Sequence, residues 1–203
     1  MTDELIQLPA PTLKGTASVE EIISKRRSIR QFKPEPATLA QLSQLLWAAQ
    51  GKTLDNGYRS VPSAGATFPL EIYVFVGEGM VVNLSAGIYH YKVDNHSLGL
   101  HLECDLRHEV AEAALGQESI ENAPLSLVIC ANINRTTSVY GKRGERYVLM
   151  EAGHAGQNIS LQAIALGLGT VMIGAFYDED ISEILKAGNE IIPLYIIPVG
   201  KPL

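Results

Sequence analysis

The chain has 203 residues, of which 46% are hydrophobic and 19% are charged, and its net charge is −6 at pH 7. These proportions predict one globular domain and exclude a disordered chain. Because the balance is acidic and no long basic tract occurs, nucleic acid is excluded as a partner.

The first residues predict neither export nor membrane insertion. Asp3 and Glu4 stand where a secretion signal carries positive charge, and no apolar core follows them. No apolar stretch reaches the ~20 residues needed to cross a bilayer. Cys104 and Cys130 are far apart and each lies in an apolar run, which predicts two buried thiols in a reducing compartment. We therefore expect a cytoplasmic protein without a membrane partner.

The first third of the chain predicts an arm, two helices and a loop. Residues 1–17 form an extended arm. Ser18 and Thr38 are each followed three residues later by Glu or Gln, the pattern of a capping box at the start of a helix. Gly51 ends the second helix. Residues 52–70 are rich in glycine and proline without periodicity, which indicates a long loop of the kind that is usually functional or disordered.

Apolar runs and helical periodicity predict the remaining elements. In chain order these are a strand over 72–76, a hairpin of strands over 87–93 and 98–104, a helix over 106–115, a strand over 125–131, a helix over 146–166, a strand over 170–173, a helix over 178–186 and a strand over 191–199. Pro193 and Pro198 place the last strand at an edge of the sheet or bend it. The irregular strand spacing favours an α+β fold with one sheet between helical layers.

A cluster of cations ends the first predicted helix. Arg26, Arg27 and Arg30 surround Ser28 in an otherwise acidic chain. Guanidinium groups match phosphate oxygens in pairs and stay charged at any working pH, so the cluster suits a small phosphorylated anion. A solvated basic patch would contain the same residues.

Five segments in this order resemble the FMN-dependent nitroreductase family, and in particular its SagB-type dehydrogenase branch, which includes azoline oxidases. They are residues 26–30, residues 62–69, the long-helix signature within 146–158, residues 167–176 and the closing residues 198–202. The resemblance covers residues 18–202. It implies a nitroreductase-like fold with a mixed or antiparallel central sheet, an intertwined homodimer, and one FMN-binding domain over residues 18–203.

The resemblance also implies where FMN would bind. The positions are Arg26, Arg27, Ser28, Arg30, Pro62, Ser63, Ala64, Gly65, Ala66, Gln117, Ile173, Gly174, Ala175 and Lys201. In the family the arginine cluster holds the phosphate, the ribityl chain or a ring edge, the loop around 62–66 comes from the partner subunit, and a backbone N–H near 174 faces flavin N5. An ordinary surface turn would look like residues 62–66, and a plain strand-to-helix turn like residues 173–175.

The chain departs from the family pattern at two positions, and two further residues are candidates for acid–base chemistry. The family commonly has asparagine and glutamine where this chain has Ala66 and Phe68. Lys142 and Tyr147 are candidate acid–base groups by resemblance to azoline oxidases, and the tyrosine would need a cationic neighbour to act as a base at neutral pH. His154 is expected to pack in a helix interface. The histidines and cysteines lack the spacing of a metal site.

Three functions follow from this resemblance. The leading hypothesis is a homodimeric FMN oxidoreductase that passes hydride through flavin N5 to or from a small aromatic, quinone or nitro substrate, with NAD(P)H as the electron donor. The second is an azoline dehydrogenase that oxidises a modified peptide. The third is a flavin-binding protein without turnover.

Overall fold

The computed structural model describes residues 5–54 and 57–203. In this part of the chain seven strands form one sheet in the order β1–β4–β3–β2–β5–β7–β6, and all its strand pairs are antiparallel. The strands are β1 (Leu5–Gln7), β2 (Leu70–Val76), β3 (Gly87–Lys92), β4 (Ser97–Leu102), β5 (Leu125–Asn132), β6 (Gly169–Thr170) and β7 (Ile191–Gly200).

Helices lie between these strands. They are α1 (Val19–Lys25), α2 (Leu39–Gln50), α3 (Arg107–Ala113), α4 (Glu118–Glu121), α5 (Ile133–Tyr140), α6 (Arg143–Ala165) and α7 (Asp178–Leu185), and a 3-10 turn spans Ala64–Ala66. The residues predicted as caps begin the first two helices. Ser18 Oγ accepts a hydrogen bond from the backbone N–H of Glu21, while Thr38 and Gln41 bond each other reciprocally.

The sheet is buried on both faces. Along β2, Ile72 and Val74 belong to the core with α2 and α6, whereas Tyr73 and Phe75 belong to the core with α3 and α7. Successive side chains of a strand point to opposite faces, so this alternation places one helical layer on each side. The α+β fold with a central sheet between helices is confirmed, and its strands are antiparallel.

The last strand has a shift in its pairing register and does not form the edge of the sheet. β7 pairs with β5 over most of its length and with β6 near its end. Its register against β5 shifts between Ile129 and Cys130, and Pro193 and Tyr195 are the residues paired on either side of that shift. Proline has no N–H to donate to a ladder, and a bulge next to it accommodates that loss.

Several predicted boundaries and one burial assignment are wrong. α5 was not predicted, α6 begins three residues earlier than expected, and the strand predicted over 170–173 pairs as a strand only at Gly169–Thr170. Cys104 is exposed because β4 ends at Leu102, which leaves the thiol in the turn beyond the core, whereas Cys130 is buried in β5 as predicted. Within the segment predicted to be an extended arm, Leu5–Gln7 form β1, which is extended and pairs with β4.

Candidate functional site

The arginine cluster lies at the surface where α1 ends. Arg26 caps the helix through its backbone N–H, which bonds to the carbonyl of Ile22. Arg27 Nη1 donates to the carbonyls of Ser24, at 2.8 Å, and of Arg26, at 2.7 Å. In the described residues neither Arg26 nor Arg30 has a carboxylate within ion-pair distance. Their charges are therefore free for an anion.

Ser28 connects this cluster to the predicted N5 segment. It forms a parallel bridge with Thr170, and the N–H of Ile29 donates to the carbonyl of Thr170 at 2.9 Å. From Thr170 the chain continues to Ile173, which exchanges two 2.9 Å hydrogen bonds with Ile196. The structure thus brings the cations and residues 173–175 to one side of the molecule.

Gly174 leaves its surroundings open. The residue is exposed, and a Cβ atom added to it would contact only the Tyr195 ring, at 3.7 Å. Beside it a cleft of about 930 Å³ lies between α7 and the start of β7. A planar group could approach the backbone here without meeting a side chain.

Gln117 and Lys201 lie beside these segments. The Gln117 amide is 3.5 Å from the carbonyl of Ala175. Lys201 Nζ is 2.7 Å from a carboxylate oxygen of Glu35, and this hydrogen bond is the main cause of the lowered pKa of Glu35, opposed by desolvation and supported by the charges of Lys201 and Lys33. In this structure the Lys201 charge is therefore shared with a carboxylate, unlike those of Arg26 and Arg30.

The predicted partner-facing loop is a tight turn held by its own side chains. Gly65, Ala66 and Phe68 have φ values of +58°, +52° and +44°, in the left-handed region that favours glycine. Ser63 Oγ accepts the N–H of Phe68 at 3.0 Å, and the hydroxyls of Thr67 and Thr136 are 2.7 Å apart. This loop has a defined and strained conformation.

The loop and the arginine cluster lie at opposite ends of the sheet. The loop leads into β2. Just before β2, the carbonyl of Pro69 accepts a hydrogen bond from the N–H of Asn132, at the end of β5. Ser28 lies beside Thr170, which pairs with Val199. Val199 in turn pairs with Leu125, so the arginine cluster lies near the start of β5. Seven residue steps of ~3.3 Å give roughly 23 Å between these ends. Within one chain, the two predicted halves of the site therefore lie beside opposite ends of β5.

Lys142 and Tyr147 lie at the loop end of the molecule. Lys142 is exposed at the start of α6, and the half-buried ring of Tyr147 packs edge-on against Tyr140 with the centroids 5.2 Å apart. The guanidinium carbon of Arg143 is 5.8 Å from the centroid of the Tyr147 ring. Arg143 thus places a cation over the ring of Tyr147.

Sequence reasoning missed two residues that support the loop. Arg135 Nη1 donates to the carbonyl of Phe68 at 3.0 Å, and its Nη2 pairs with Glu71 at 2.5 Å. Glu71 also lies 2.7 Å from His90. Burial raises the pKa of Glu71, but the hydrogen bond to His90 and the charge of Arg135 more than offset that effect, so the pKa lies below its ordinary value.

Glu151 shows the opposite shift. It is 3% exposed on α6, and burial raises the pKa of its carboxyl, while hydrogen bonds to Ser63 and Gln50 and the charge of Arg59 oppose that rise. His154, on the same helix, is exposed in this chain, so the expected packing partner is not supplied by the described residues.

The model of the nitroreductase family matches residues 23–201. The chain belongs to the nitroreductase family. A nitroreductase-named protein of Methanocaldococcus jannaschii is 50% identical over 185 residues, which cover 91% of each chain. A solved nitroreductase structure from Ralstonia eutropha has a TM-score of 0.86 and 30% identity, over 100% of this chain and 92% of that one.

Two more distant relatives of this nitroreductase-family chain carry functional names. An FMN reductase (NADPH) of Bacillus subtilis is 25% identical over 90% of this chain and 65% of its own length. A trifolitoxin operon protein of Rhizobium leguminosarum bv. trifolii is 25% identical over 92% of this chain and 56% of its own. The chain thus spans less than two thirds of either relative.

Family membership identifies an oxidoreductase that uses FMN. The residues present fit this cofactor, because unpaired guanidinium groups suit a phosphate dianion and the open backbone at Gly174 suits a flat ring. Within residues 5–54 and 57–203, no group of three His, Cys, Asp or Glu side chains could hold a metal ion, and no helix is both long and apolar enough to span a bilayer.

Proposed function

We propose that this protein is a homodimeric nitroreductase-type enzyme that reduces a small aromatic, quinone or nitro compound with NAD(P)H, in a site built by two chains. The observation that carries the proposal is that Arg26 and Arg30 have no carboxylate partner among the described residues and lie next to the Ser28–Thr170 bridge that leads to Gly174. Within the proposal, residues 18–203 are the FMN-binding domain and residues 1–17 are an arm.

The separation of the two halves of the site supports the dimer. The two ends of β5, one beside the loop and one beside the Ser28–Thr170 bridge, are roughly 23 Å apart, which favours a loop from a second copy at the arginine end. Exposed apolar side chains support a contact between copies. Val19 and Ile23 on α1 are 64% and 55% exposed, and Leu149 and Met150 on α6 are 57% and 52% exposed.

Each segment would have a separate task. Bound FMN supplies two-electron chemistry by taking up and releasing hydride at its ring. Arg26 and Arg30 would neutralise the phosphate, with Ser28 as a neutral donor and Arg27 beside them. Gly174 would leave one approach to the ring free of side chains. The partner's loop over 62–66 would limit access of water with a backbone of little side-chain bulk.

A second candidate, the SagB-type azoline dehydrogenase, is favoured by the position of Tyr147. Its ring lies between Arg143 and Tyr140, at the end of the molecule that carries the 62–66 loop. In a two-chain site this end would face the flavin of the partner, where an acid–base group would act on a modified peptide. The similarity to the trifolitoxin operon protein also favours this candidate.

The cofactor test compares charge removal at and beside the cluster. Arg26→Gln combined with Arg30→Gln is expected to weaken FMN binding by about 100-fold or more, since each charge-assisted bond contributes roughly 1.5–3 kcal/mol. Lys25→Gln is the matched control, because Lys25 pairs with Glu21 one residue before the cluster. Quenching of flavin fluorescence reports the affinity. Equal affinity in all three proteins would contradict the proposal.

Reduction of the bound flavin by NADPH separates the two candidates. Rapid loss of the flavin absorbance in stopped flow is expected for the reductase. If NADPH leaves the flavin oxidised, while Lys142→Ala and Tyr147→Phe abolish oxidation of a thiazoline-containing peptide, the second candidate is correct.

A further inference from the structure

A buried carboxyl lies beneath the predicted partner-facing loop. Glu151 is 3% exposed, and its Oε1 is 3.4 Å from the amide nitrogen of Gln50, which is fully buried. The amide oxygen of Gln50 accepts a hydrogen bond from Arg59 Nη1 at 2.9 Å. One chain of contacts thus runs from Glu151 through Gln50 to Arg59.

This series of contacts ends on the loop, and so does a second series. The guanidinium carbon of Arg59 lies 4.1 Å from the centroid of the Phe68 ring, a cation–π contact. On the other side, Ser63 Oγ accepts the backbone N–H of Phe68 at 3.0 Å, and the Ser63 side chain lies close enough to the Glu151 carboxyl to oppose the rise in its pKa. Glu151 therefore reaches Phe68 by two independent routes.

The loop requires such support because its backbone is strained. Ala66 and Phe68 are not glycine, yet their φ values are +52° and +44°. Left-handed backbone at such residues is unfavourable and persists only when the surroundings fix it. Ser63 contacts the backbone N–H of Phe68, Arg135 its carbonyl and Arg59 its ring.

Burying the Glu151 carboxyl also has a free-energy cost, which indicates that the residue has a role. A carboxyl in an apolar environment is unfavourable unless its oxygens accept hydrogen bonds, and an apolar residue of similar volume would pack here at lower cost. Burial raises the pKa of Glu151, which is the expected sign of that cost.

We propose that Glu151 is a positioning residue that holds the 62–68 loop in its strained conformation through Gln50 and Arg59, with the Ser63 side chain beside it. The functional meaning of this role rests on the proposed function, in which the loop contacts the flavin of the partner subunit. The loop conformation itself belongs to each chain and can be measured without flavin.

The test is hydrogen exchange of the backbone amides of Ala66, Thr67 and Phe68 in flavin-free protein. Glu151→Leu removes both acceptor oxygens at similar volume, and we expect these amides to exchange about tenfold faster, the loss of roughly one hydrogen bond. Glu151→Gln keeps an acceptor and is expected to retain the protection. Asp105→Asn is the control, because Asp105 pairs with Arg107 far from the loop. Unchanged exchange in Glu151→Leu would overturn the proposal.

A second measurement applies if Glu151→Leu loosens the whole chain. Gln50→Leu removes the amide that connects Glu151 to Arg59 and leaves Glu151 in place, so the protection of the Phe68 amide should decrease relative to the β5 amides. An unchanged ratio of the two protections in Gln50→Leu would also overturn the proposal.

Measuring FMN affinity as well distinguishes failure of the positioning role from failure of the proposed function. If the unsubstituted protein binds FMN but Glu151→Leu keeps full loop protection, only the positioning role fails. If the exchange results are as expected but the unsubstituted protein does not bind FMN, only the proposed function fails.

Discussion

The hydroxyl oxygen of Tyr140 lies 2.6 Å from the position that a Cβ atom would occupy on Gly65. This contact joins the end of α5 to the tip of the predicted partner-facing loop. It makes glycine necessary at position 65 for two reasons, since the φ value of +58° also disfavours any other residue.

We therefore expect Gly65→Ala to lower the free energy of unfolding by about 1–3 kcal/mol, from backbone strain and from the displaced Tyr140 hydroxyl. Urea unfolding measures this change. Gly79→Ala is the matched control, because Gly79 has a φ of +66° but no atom within 4 Å of the added Cβ. The loss at Gly79 should be smaller, and adding Tyr140→Phe to Gly65→Ala should recover part of the difference. Equal losses at Gly65 and Gly79 would show that the contact has no effect.

Glu71→Gln should destabilise the protein at neutral pH. The carboxylate accepts hydrogen bonds from His90 and Arg135, and charged hydrogen bonds of this kind contribute roughly 1.5–3 kcal/mol. Because the folded pKa lies below the ordinary value of 4.5, this stability is present above pH 4.5 and is lost as pH falls through the folded pKa. The deficit of the variant should thus shrink in acid. Urea titrations at several pH values measure this loss of unfolding free energy. Glu78→Gln is the control, because Glu78 is exposed. A loss that does not change with pH would contradict the lowered pKa of Glu71.

Glu151→Gln should show the opposite dependence on pH. The folded pKa of Glu151 lies above the ordinary 4.5, so the unsubstituted protein loses stability as pH rises from 4.5 through the folded pKa. Glutamine does not titrate. The free energy of unfolding of the variant, relative to the unsubstituted protein, should therefore rise with pH over this window and then level off. A difference that falls as pH rises would refute the raised pKa.

The affinity for FMN should depend on salt because charge dominates at the arginine cluster. Raising the ionic strength screens exposed guanidinium groups, so we expect weaker FMN binding at higher salt. The slope should be shallower in the Arg26→Gln and Arg30→Gln double variant than in Lys25→Gln. Fluorescence titration at several salt concentrations provides the slopes, and identical slopes would argue against phosphate binding at this cluster.

The sequence was sufficient for features that depend on local chemistry. The helix starts at Ser18 and Thr38 follow from capping, which involves residues three apart, and the buried strand β5 follows from an unbroken apolar run. The family motifs are likewise contiguous stretches, which is why the fold and FMN could be predicted from them.

Features that depend on contacts between distant segments could not be predicted. Helix α5 has few apolar residues, so neither Arg135 nor Tyr140 was recognised as support for a loop some 70 residues earlier in the chain. Cys104 follows an apolar run but lies two residues beyond the end of its strand at Leu102. The separation of the two halves of the site likewise depends on the strand order, which periodicity does not specify.

The central claim is that each flavin site combines the arginine cluster of one chain with the 62–66 loop of another. Co-expression of two differently tagged chains tests it, one with Arg26→Gln and Arg30→Gln, the other with Ala64→Glu. In a two-chain site the mixed dimer has one doubly damaged site and one intact site, so it should bind one FMN per dimer with the unsubstituted affinity, while neither variant homodimer does. If the purified mixed dimer binds no FMN with that affinity, or if the chain proves to be a monomer that retains the flavin, the claim is wrong.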